Sequence, residues 1–197
     1  MKMKRLTAQQ AIRLIGEFCD TVGAMAVLLS FGWQRPPQNL RANEHVYAAT
    51  DMIDKKKTLA EGERKGRDAP TLVGFGIIEL NTHDAEDDEA FLSCGVFPAY
   101  RHRGYWHAIT AWMVERAREL GADYATRFVF KENEEHYTRS MREAHEPGSP
   151  WVYAGDIWFP GPGYGKFMVP LEAEPAEEAP EDPEARLSHP EAGSEGA

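Results

Sequence analysis

The feature that most constrains the fold is a hydrophobic segment that passes through a basic turn directly into an amphipathic helix. Its apolar residues predict a strand at Glu89–Phe97, and the residues after the turn predict a helix at Gly104–Leu120. The first N–H groups of a helix have no intrahelical partners, and the helix dipole adds partial positive charge there. Residues 101–103 add two arginines and a histidine, and a glycine at 104 lets a ligand approach the backbone closely. The segment therefore predicts an anion site where the strand meets the helix.

The order of elements around this segment predicts a mixed α/β sheet. An N-terminal helix is expected at Thr7–Asp20, because Thr7 and Gln10 form a capping box. A helix also connects two predicted strands in the middle of the chain, which indicates a crossover between neighbouring strands. Other predicted elements are strands at Val46–Ile53, Thr71–Leu80, Asp123–Phe130, Trp151–Phe159 and Tyr164–Leu171 and a short helix at Glu134–Glu143, with Met25–Phe31 left open between strand and helix.

The negative charge of the chain is concentrated at its C-terminal end. Residues 171–197 contain nine acidic residues and one basic residue, which leaves −2 of the total charge of −10 for residues 1–170. The end segment is rich in Glu, Pro and Ala with little to bury, so we expect a disordered tail at 171–197 and a single domain at 1–170. The nearly neutral domain offers no strong positive field, so we expect no nucleic-acid partner.

Neither the apolar segments nor the cysteines indicate a membrane or a secreted protein. The longest apolar stretch, residues 22–33, is short for a bilayer and is interrupted by glycine. The basic N-terminus is followed by polar residues rather than by the apolar region of a signal peptide. Cys19 and Cys94 lack metal-ligand spacing, so we expect no metal site and two core thiols in a reducing compartment. The expectation is a cytoplasmic protein without a membrane partner.

The segment from Val96 to Trp106 resembles the acyl-CoA-binding segment of the GNAT superfamily, the GCN5-related N-acetyltransferases. The family pattern is a strand ending in Val-x-Pro, then Arg or Gln, two residues, Gly, one residue, and Gly or Ala. Val96, Pro98, Tyr100, Arg101 and Gly104 fall on this pattern. The resemblance covers residues 70–170 well and residues 1–60 loosely. It implies a GNAT-like mixed, mostly antiparallel central sheet with splayed middle strands and flanking helices.

The resemblance also implies an activity, a co-substrate and a set of binding residues. The activity is an N-acetyltransferase that moves acetyl from acetyl-CoA to an amine, on a small molecule or a protein, of unknown identity. In the family the pantetheine arm lies between the splayed strands, where the backbone of Cys94, Val96 and Phe97 would meet it. The alternative is that the arginines of the turn are ordinary surface charges near a helix cap. The residues implied to bind the cofactor are Val96, Phe97, Arg101, His102, Arg103, Gly104, Tyr105, Trp106 and Asn133.

Two residues are candidates for acid–base catalysis. Acetylation needs a deprotonated amine, and Glu89 at the start of a strand is a candidate base, with Glu79 on the preceding strand as another. The family often has a tyrosine in the helix after Asn133 that protonates the leaving thiolate. Tyr137 lies one turn before the family position, which falls at about Ser140 or Met141. As alternatives, Tyr137 is a packing residue and Asn133 is a helix N-cap.

Trp106 departs from the family pattern, which has Gly or Ala at this place. An indole directed into the turn would block a phosphate, whereas one directed to the core would leave the backbone amides accessible. The helical spacing of Trp106, Ile109 and Met113 predicts an inward indole, and we expect weak acetyl-CoA binding at most.

The departure also motivates a second possible function. The chain could be a catalytically degenerate GNAT-fold binding or assembly module, similar to virion-associated proteins of bacteriophages. The aromatic residues between 151 and 167 favour a protein partner or a homodimer, or else form the core of the last two strands.

Overall fold

The computed structural model describes residues 1–23, 27, 31, 36–53, 69–81, 88–157 and 163–171. The predicted tail from residue 172 onward and most of 25–31 lie outside the described residues, although Val27 and Phe31 have helical backbone. No described helix combines the length and the apolar character that crossing a bilayer requires. The strands are β1 (Lys2–Arg5), β2 (Glu44–Ile53), β3 (Ala69–Asn81), β4 (Glu89–Val96), β5 (Tyr124–Phe130), β6 (Val152–Ile157) and β7 (Tyr164–Pro170), and the helices are α1 (Ala8–Val22), α2 (Tyr105–Glu119) and α3 (Glu134–His145).

The seven strands form one mixed sheet in the order β1-β2-β3-β4-β5-β7-β6. All neighbours run antiparallel except β4 and β5, which are parallel and are joined by α2. The predicted mostly antiparallel α/β sheet is confirmed. β1 was not predicted, because four residues with three bases lack an apolar pattern; the strand is set by its pairing with β2, from Lys2 opposite Thr50 to Arg5 opposite Tyr47.

The two middle strands separate soon after they begin. β4 and β5 pair over three positions, from Glu89 opposite Tyr124 to Phe91 opposite Thr126. Beyond these positions the described parts of the two strands no longer pair, so a gap opens toward the C-terminal end of β4. The splay implied by the resemblance is therefore present.

Helices cover the two faces of the sheet and form two cores. Thr7 is the N-cap of α1, and its side chain accepts from the Gln10 amide in the predicted capping box. On this side Phe18 packs edge-on against Phe75 of β3, with ring centroids 5.0 Å apart. On the opposite face α2 buries Ile109 and other residues of its core stripe against β3, β4 and β5.

Two glycines of β3 set how closely α2 approaches the sheet. A Cβ on Gly76 would lie 2.5 Å from the Met113 sulfur, and one on Gly74 would lie 3.1 Å from Cδ1 of Ile109. Both distances are too short for ordinary packing, so the helix rests directly on bare backbone. This contact fixes the position of the first turn of α2 beside the open end of β4.

Candidate active site

A cleft of about 610 Å³ lies in the gap between the splayed strands. Its walls come from the second half of β4, the basic turn, the first turns of α2, the end of β5 and the start of α3. Each wall therefore ends or begins at the place where the sheet opens. The sheet topology alone brings these distant parts of the chain together.

One end of the cleft is a turn with free backbone donors. His102 and Gly104 both have positive φ, 59° and 81°, and Gly104 directly precedes α2. Within the described part of the chain, the six amides of residues 102–107 find no acceptor. Helix geometry leaves such groups for a ligand or for water. The geometry of this turn fits the anion site that the sequence predicts, and anion binding there stays a prediction.

Most of the residues implied to bind the cofactor line this cleft, and two do not. Arg103 holds its guanidinium over the Tyr100 ring, 5.9 Å from the centroid, outside the lining. Phe97 donates its amide to the Val73 carbonyl and packs its ring against α1, so its backbone and side chain both face elsewhere. The lining residues among them are Val96, Arg101, His102, Gly104, Tyr105, Trp106 and Asn133.

The register of β4 explains the difference between Phe97 and its neighbours. In an antiparallel ladder, hydrogen-bonded pairs alternate along the strand. Phe97 belongs to a bonded pair with Val73, so every second residue from it directs its backbone groups to β3. Cys94 and Val96 lie between these positions and direct their backbone groups to the gap. The Val96 carbonyl accepts a hydrogen bond from Nε of Arg101 at 3.3 Å.

The indole of Trp106 packs inward as part of the cleft wall. It is partly buried against the core of α2, as the helical spacing predicts. The ring meets the His136 ring edge-on at 5.1 Å, and the Arg127 guanidinium lies 5.0 Å from the indole centroid. Trp106 therefore connects α2 with β5 and α3.

Arg127 is a functional candidate that the sequence reading missed. The residue is 4% exposed and lines the cleft from β5. The guanidinium lies 4.0 Å from the centroid of the Trp151 ring, and Nη2 donates to Glu143 of α3 at 2.6 Å. The available signal was an arginine inside an otherwise apolar and aromatic strand, since such a charge is buried only with partners.

His136 is a second functional candidate, although a single histidine near a helix start is more often structural than catalytic. It lines the cleft from α3, and burial together with the nearby Arg127 charge lowers its pKa to about 4. The imidazole is therefore neutral near pH 7. Its buried Nε2 has no hydrogen-bond partner among the described residues.

Cys94 also lines the cleft and keeps its proton. Burial raises the pKa of its thiol to about 12, and the sulfur lies 3.7 Å from the Thr110 hydroxyl. The thiol is a poor nucleophile at neutral pH, because the thiolate is the reactive form. It acts here as a small wall residue.

The two predicted catalytic side chains lie outside the lining of the cleft. Glu89 accepts from the Thr126 hydroxyl at 2.5 Å and pairs with Lys166 at 2.7 Å. Tyr137 packs its ring on Gly165, and its hydroxyl interacts with Tyr153 and Asp156. Their catalytic roles stay predictions.

No protein-family model matches the sequence, and no curated protein matches it. Solved structures do match the fold. The spermidine/spermine N-acetyltransferase SpeG from Vibrio cholerae aligns over 86% of this chain and 92% of its own, with a TM-score of 0.53 and 12% identity. The GNAT domain of S. lividans PAT aligns over 85% and 89%, with a TM-score of 0.53 and 17% identity. This chain has the GNAT fold.

A third GNAT structure extends the comparison. A putative GNAT-family acetyltransferase from Desulfovibrio desulfuricans aligns over 86% of this chain and 98% of its own, with a TM-score of 0.54 and 11% identity. Identities this low establish the fold alone. The GNAT fold accounts for the splayed strands and for the helix that begins beside them. Activity depends on the residues of the cleft rather than on the fold.

Proposed function

We propose that the protein is an acyl-CoA-dependent N-acetyltransferase that accepts acetyl-CoA as donor and an amine of unknown identity as acceptor. The observation that carries the proposal is the cleft between β4 and β5, which ends at six backbone amides without acceptors. Those amides fit a pyrophosphate, and the gap fits an extended arm. Neither feature is needed merely to complete a sheet.

The charges around the cleft support an anionic ligand. Three arginines and one glutamate line it. Arg101 lies next to the free amides, so its charge adds to the partial positive charge of the helix start. Cys94 and Val96 present backbone groups along the gap, where amide groups of a pantetheine arm can pair with them. The phosphate end and the arm of a CoA ester thus each have a matching surface.

The proposed reaction is a direct transfer. The amine nitrogen attacks the thioester carbon, a C–N bond forms, and the C–S bond breaks with its electron pair going to sulfur. The amine loses one proton and the sulfur gains one, so the products are an amide and free CoA. The protein contributes positioning and backbone donors near the thioester oxygen. Glu89 as base and Tyr137 as acid stay as proposals for the proton transfers.

A second candidate function is a GNAT-fold binding module without turnover. The position of Tyr137 favours it, because its hydroxyl interacts with Tyr153 and Asp156 and its side chain does not line the cleft. Such a module would retain the cleft but release no thiol from acetyl-CoA. The two functions therefore differ in chemistry rather than in ligand binding.

The deciding experiment uses two arginines of the same turn. The purified full chain is titrated with CoA by calorimetry and then incubated with acetyl-CoA and a panel of polyamines, amino acids and peptides. Arg101→Ala and Arg103→Ala are compared with the unchanged chain. Because Arg101 lines the cleft and Arg103 does not, we expect the first change to weaken CoA binding about tenfold and the second about twofold.

Thiol release that depends on an amine, and that falls in Arg101→Ala, supports the enzyme. CoA binding without thiol release for any amine supports the module. If CoA does not bind to the unchanged chain at millimolar concentration, the proposed function is wrong.

A further inference from the structure

The buried side chain of Arg127 has hydrogen-bond donors without acceptors among the described residues. In the part of the chain that the structure describes, Nε and Nη1 of this side chain are buried without partners. Nη2 alone is bonded, to Glu143. A buried donor without an acceptor costs about 1–3 kcal/mol, so such groups call for a specific reason.

The location of Arg127 suggests that reason. Thr126 is the last residue of β5 that pairs with β4, and Arg127 is the next residue along the strand. Arg127 therefore lies at the fork, where the gap begins, and it lines the cleft. The free amides of residues 102–107 lie beyond the C-terminal end of β4, the other strand that borders the gap. A ligand held by its phosphates at those amides would direct its far end toward the fork.

A second unpartnered group lies beside the first. His136 also lines the cleft, and its buried Nε2 has no partner among the described residues. Both side chains contact the Trp106 indole, which holds them on one wall. Because the imidazole is neutral, it does not replace Arg127 as the charged group.

The charge balance leaves room for one more anion. Glu143 neutralises part of the Arg127 charge, but its side chain is 26% exposed and so is partly screened by water. Glu143 does not line the cleft. The charged residues that do are Arg101, Arg127, Arg139 and one carboxylate, Glu135, which pairs with Arg139. Arg127 is therefore a cleft-lining cation with two buried nitrogens that have no acceptor among the described residues.

We propose that Arg127 and His136 form a subsite for a carboxylate at the end of the acyl chain, so that the preferred donor is a dicarboxylic acyl-CoA such as succinyl-CoA. This inference rests on the proposed function and names its donor class. Oxygens of the carboxylate accept from Arg127, with His136 beside them. The aromatic rings of Trp106, Trp151 and Phe167 surround the guanidinium and keep water away.

The transfer step is unchanged by this donor. The amine nitrogen forms a bond to the thioester carbon, the C–S bond breaks, and sulfur leaves with the electron pair. One proton passes from the amine to solvent or a base, and one reaches the sulfur. The distal carboxylate keeps its charge throughout and serves only to bind and orient the chain.

The first test needs no substitution. Succinyl-CoA and butyryl-CoA have acyl chains of the same carbon number and differ in the terminal group. Calorimetry on the full chain should give at least about tenfold tighter binding of succinyl-CoA, because a charge-assisted hydrogen bond discriminates by about that factor. Thiol release with an accepted amine should show the same order, with acetyl-CoA below succinyl-CoA.

Variants then assign the preference to Arg127. Arg127→Met should reduce the succinyl-to-butyryl ratio to about one, since it removes the charge–carboxylate hydrogen bond. Glu143→Gln keeps the guanidinium and removes its internal carboxylate, so the ratio should rise. Arg116→Met is the matched control, because Arg116 bonds to Glu119 and Tyr47 and does not line the cleft.

The outcomes separate the inference from the function beneath it. Equal binding of succinyl-CoA and butyryl-CoA, or a preference for acetyl-CoA, overturns the carboxylate subsite and leaves the acyltransferase standing. No binding of CoA or of any of its esters overturns both. If Arg127→Met does not fold, the wild-type ratio and the response of Glu143→Gln still decide.

Discussion

The guanidinium of Arg127 lies 5.0 Å from the centroid of the Trp106 indole, so a strand and a helix of the cleft are joined by a cation–π contact. The same indole meets His136 edge-on at 5.1 Å. Trp106 thus occupies a position that is Gly or Ala in the family pattern, and its indole packs against Arg127 and His136. Its effect on the cleft can be separated from its effect on stability.

Trp106→Ala and Trp112→Ala form a matched pair on α2. Both indoles are partly buried, and Trp112 packs on Tyr47 with centroids 4.8 Å apart, away from the cleft. We expect each change to lower the free energy of unfolding by about 2 kcal/mol in urea titrations. Only Trp106→Ala should weaken acyl-CoA binding, about three- to tenfold, because Arg127 loses a cation–π partner. Tighter binding in Trp106→Ala would mean that the indole obstructs the cleft.

Gly104→Ala and Gly16→Ala should change stability in opposite directions. Gly104 has a φ of 81°, where any Cβ is strained, whereas Gly16 lies inside α1 with open space around an added Cβ. We expect a loss of about 1 kcal/mol for the first and a gain of about 0.5–1 kcal/mol for the second, measured by chemical denaturation. Equal effects would show that the turn before α2 does not need a left-handed residue.

His136 should make the fold sensitive to mild acid. Its folded-state pKa of about 4 lies below the usual 6.5, so below pH 6.5 the unfolded chain binds a proton that the folded chain does not. Stability is unaffected above that range, falls as the pH drops toward 4, and loses up to about 3 kcal/mol from this residue. His136→Gln removes the titration. The difference in unfolding free energy between pH 7 and pH 4.5 should be smaller in the variant, and an identical difference would contradict the prediction.

Tyr137→Phe tests the role that the resemblance implies for this residue. Because the Tyr137 hydroxyl interacts with Tyr153 and Asp156, we expect a stability loss of about 1 kcal/mol and retained thiol release. Tyr153→Phe is the control from the same cluster and should behave alike. A hundredfold fall in kcat in Tyr137→Phe alone, with CoA binding intact, would instead support the predicted general acid.

The strand–turn–helix segment could be predicted from the sequence because its signals are local. Apolar alternation, the basic turn and Gly104 all lie within about thirty residues, and the observed α2 differs from the predicted helix by one residue at each end. β1 could not be predicted, since its basic residues carry no pattern and only the partner strand makes it a strand. Local sequence signals therefore predict the strand, the turn and the helix, whereas β1 depends on its pairing with β2.

The residues of the candidate site also fall into two groups: those that a local motif predicts and those that only the fold brings together. The turn residues were found because a motif contains them, whereas Arg127 and Glu143 lie sixteen residues apart on different elements. Their pairing, and the unpartnered nitrogens that remain, arise only when β5 and α3 come together. The exclusion of Phe97 is likewise a matter of strand register, which a single sequence does not reveal.

α2 packs directly on the backbone of β3 at Gly74 and Gly76, so these two positions set how the helix lies on the sheet. A side chain added at either glycine would push α2 away from the sheet. The amides at the N-terminal end of α2 would then move relative to the gap between β4 and β5. The position of these amides therefore depends on two strand residues that do not line the cleft. Substitutions in the middle of β3 would therefore alter ligand binding without changing any residue that lines the cleft.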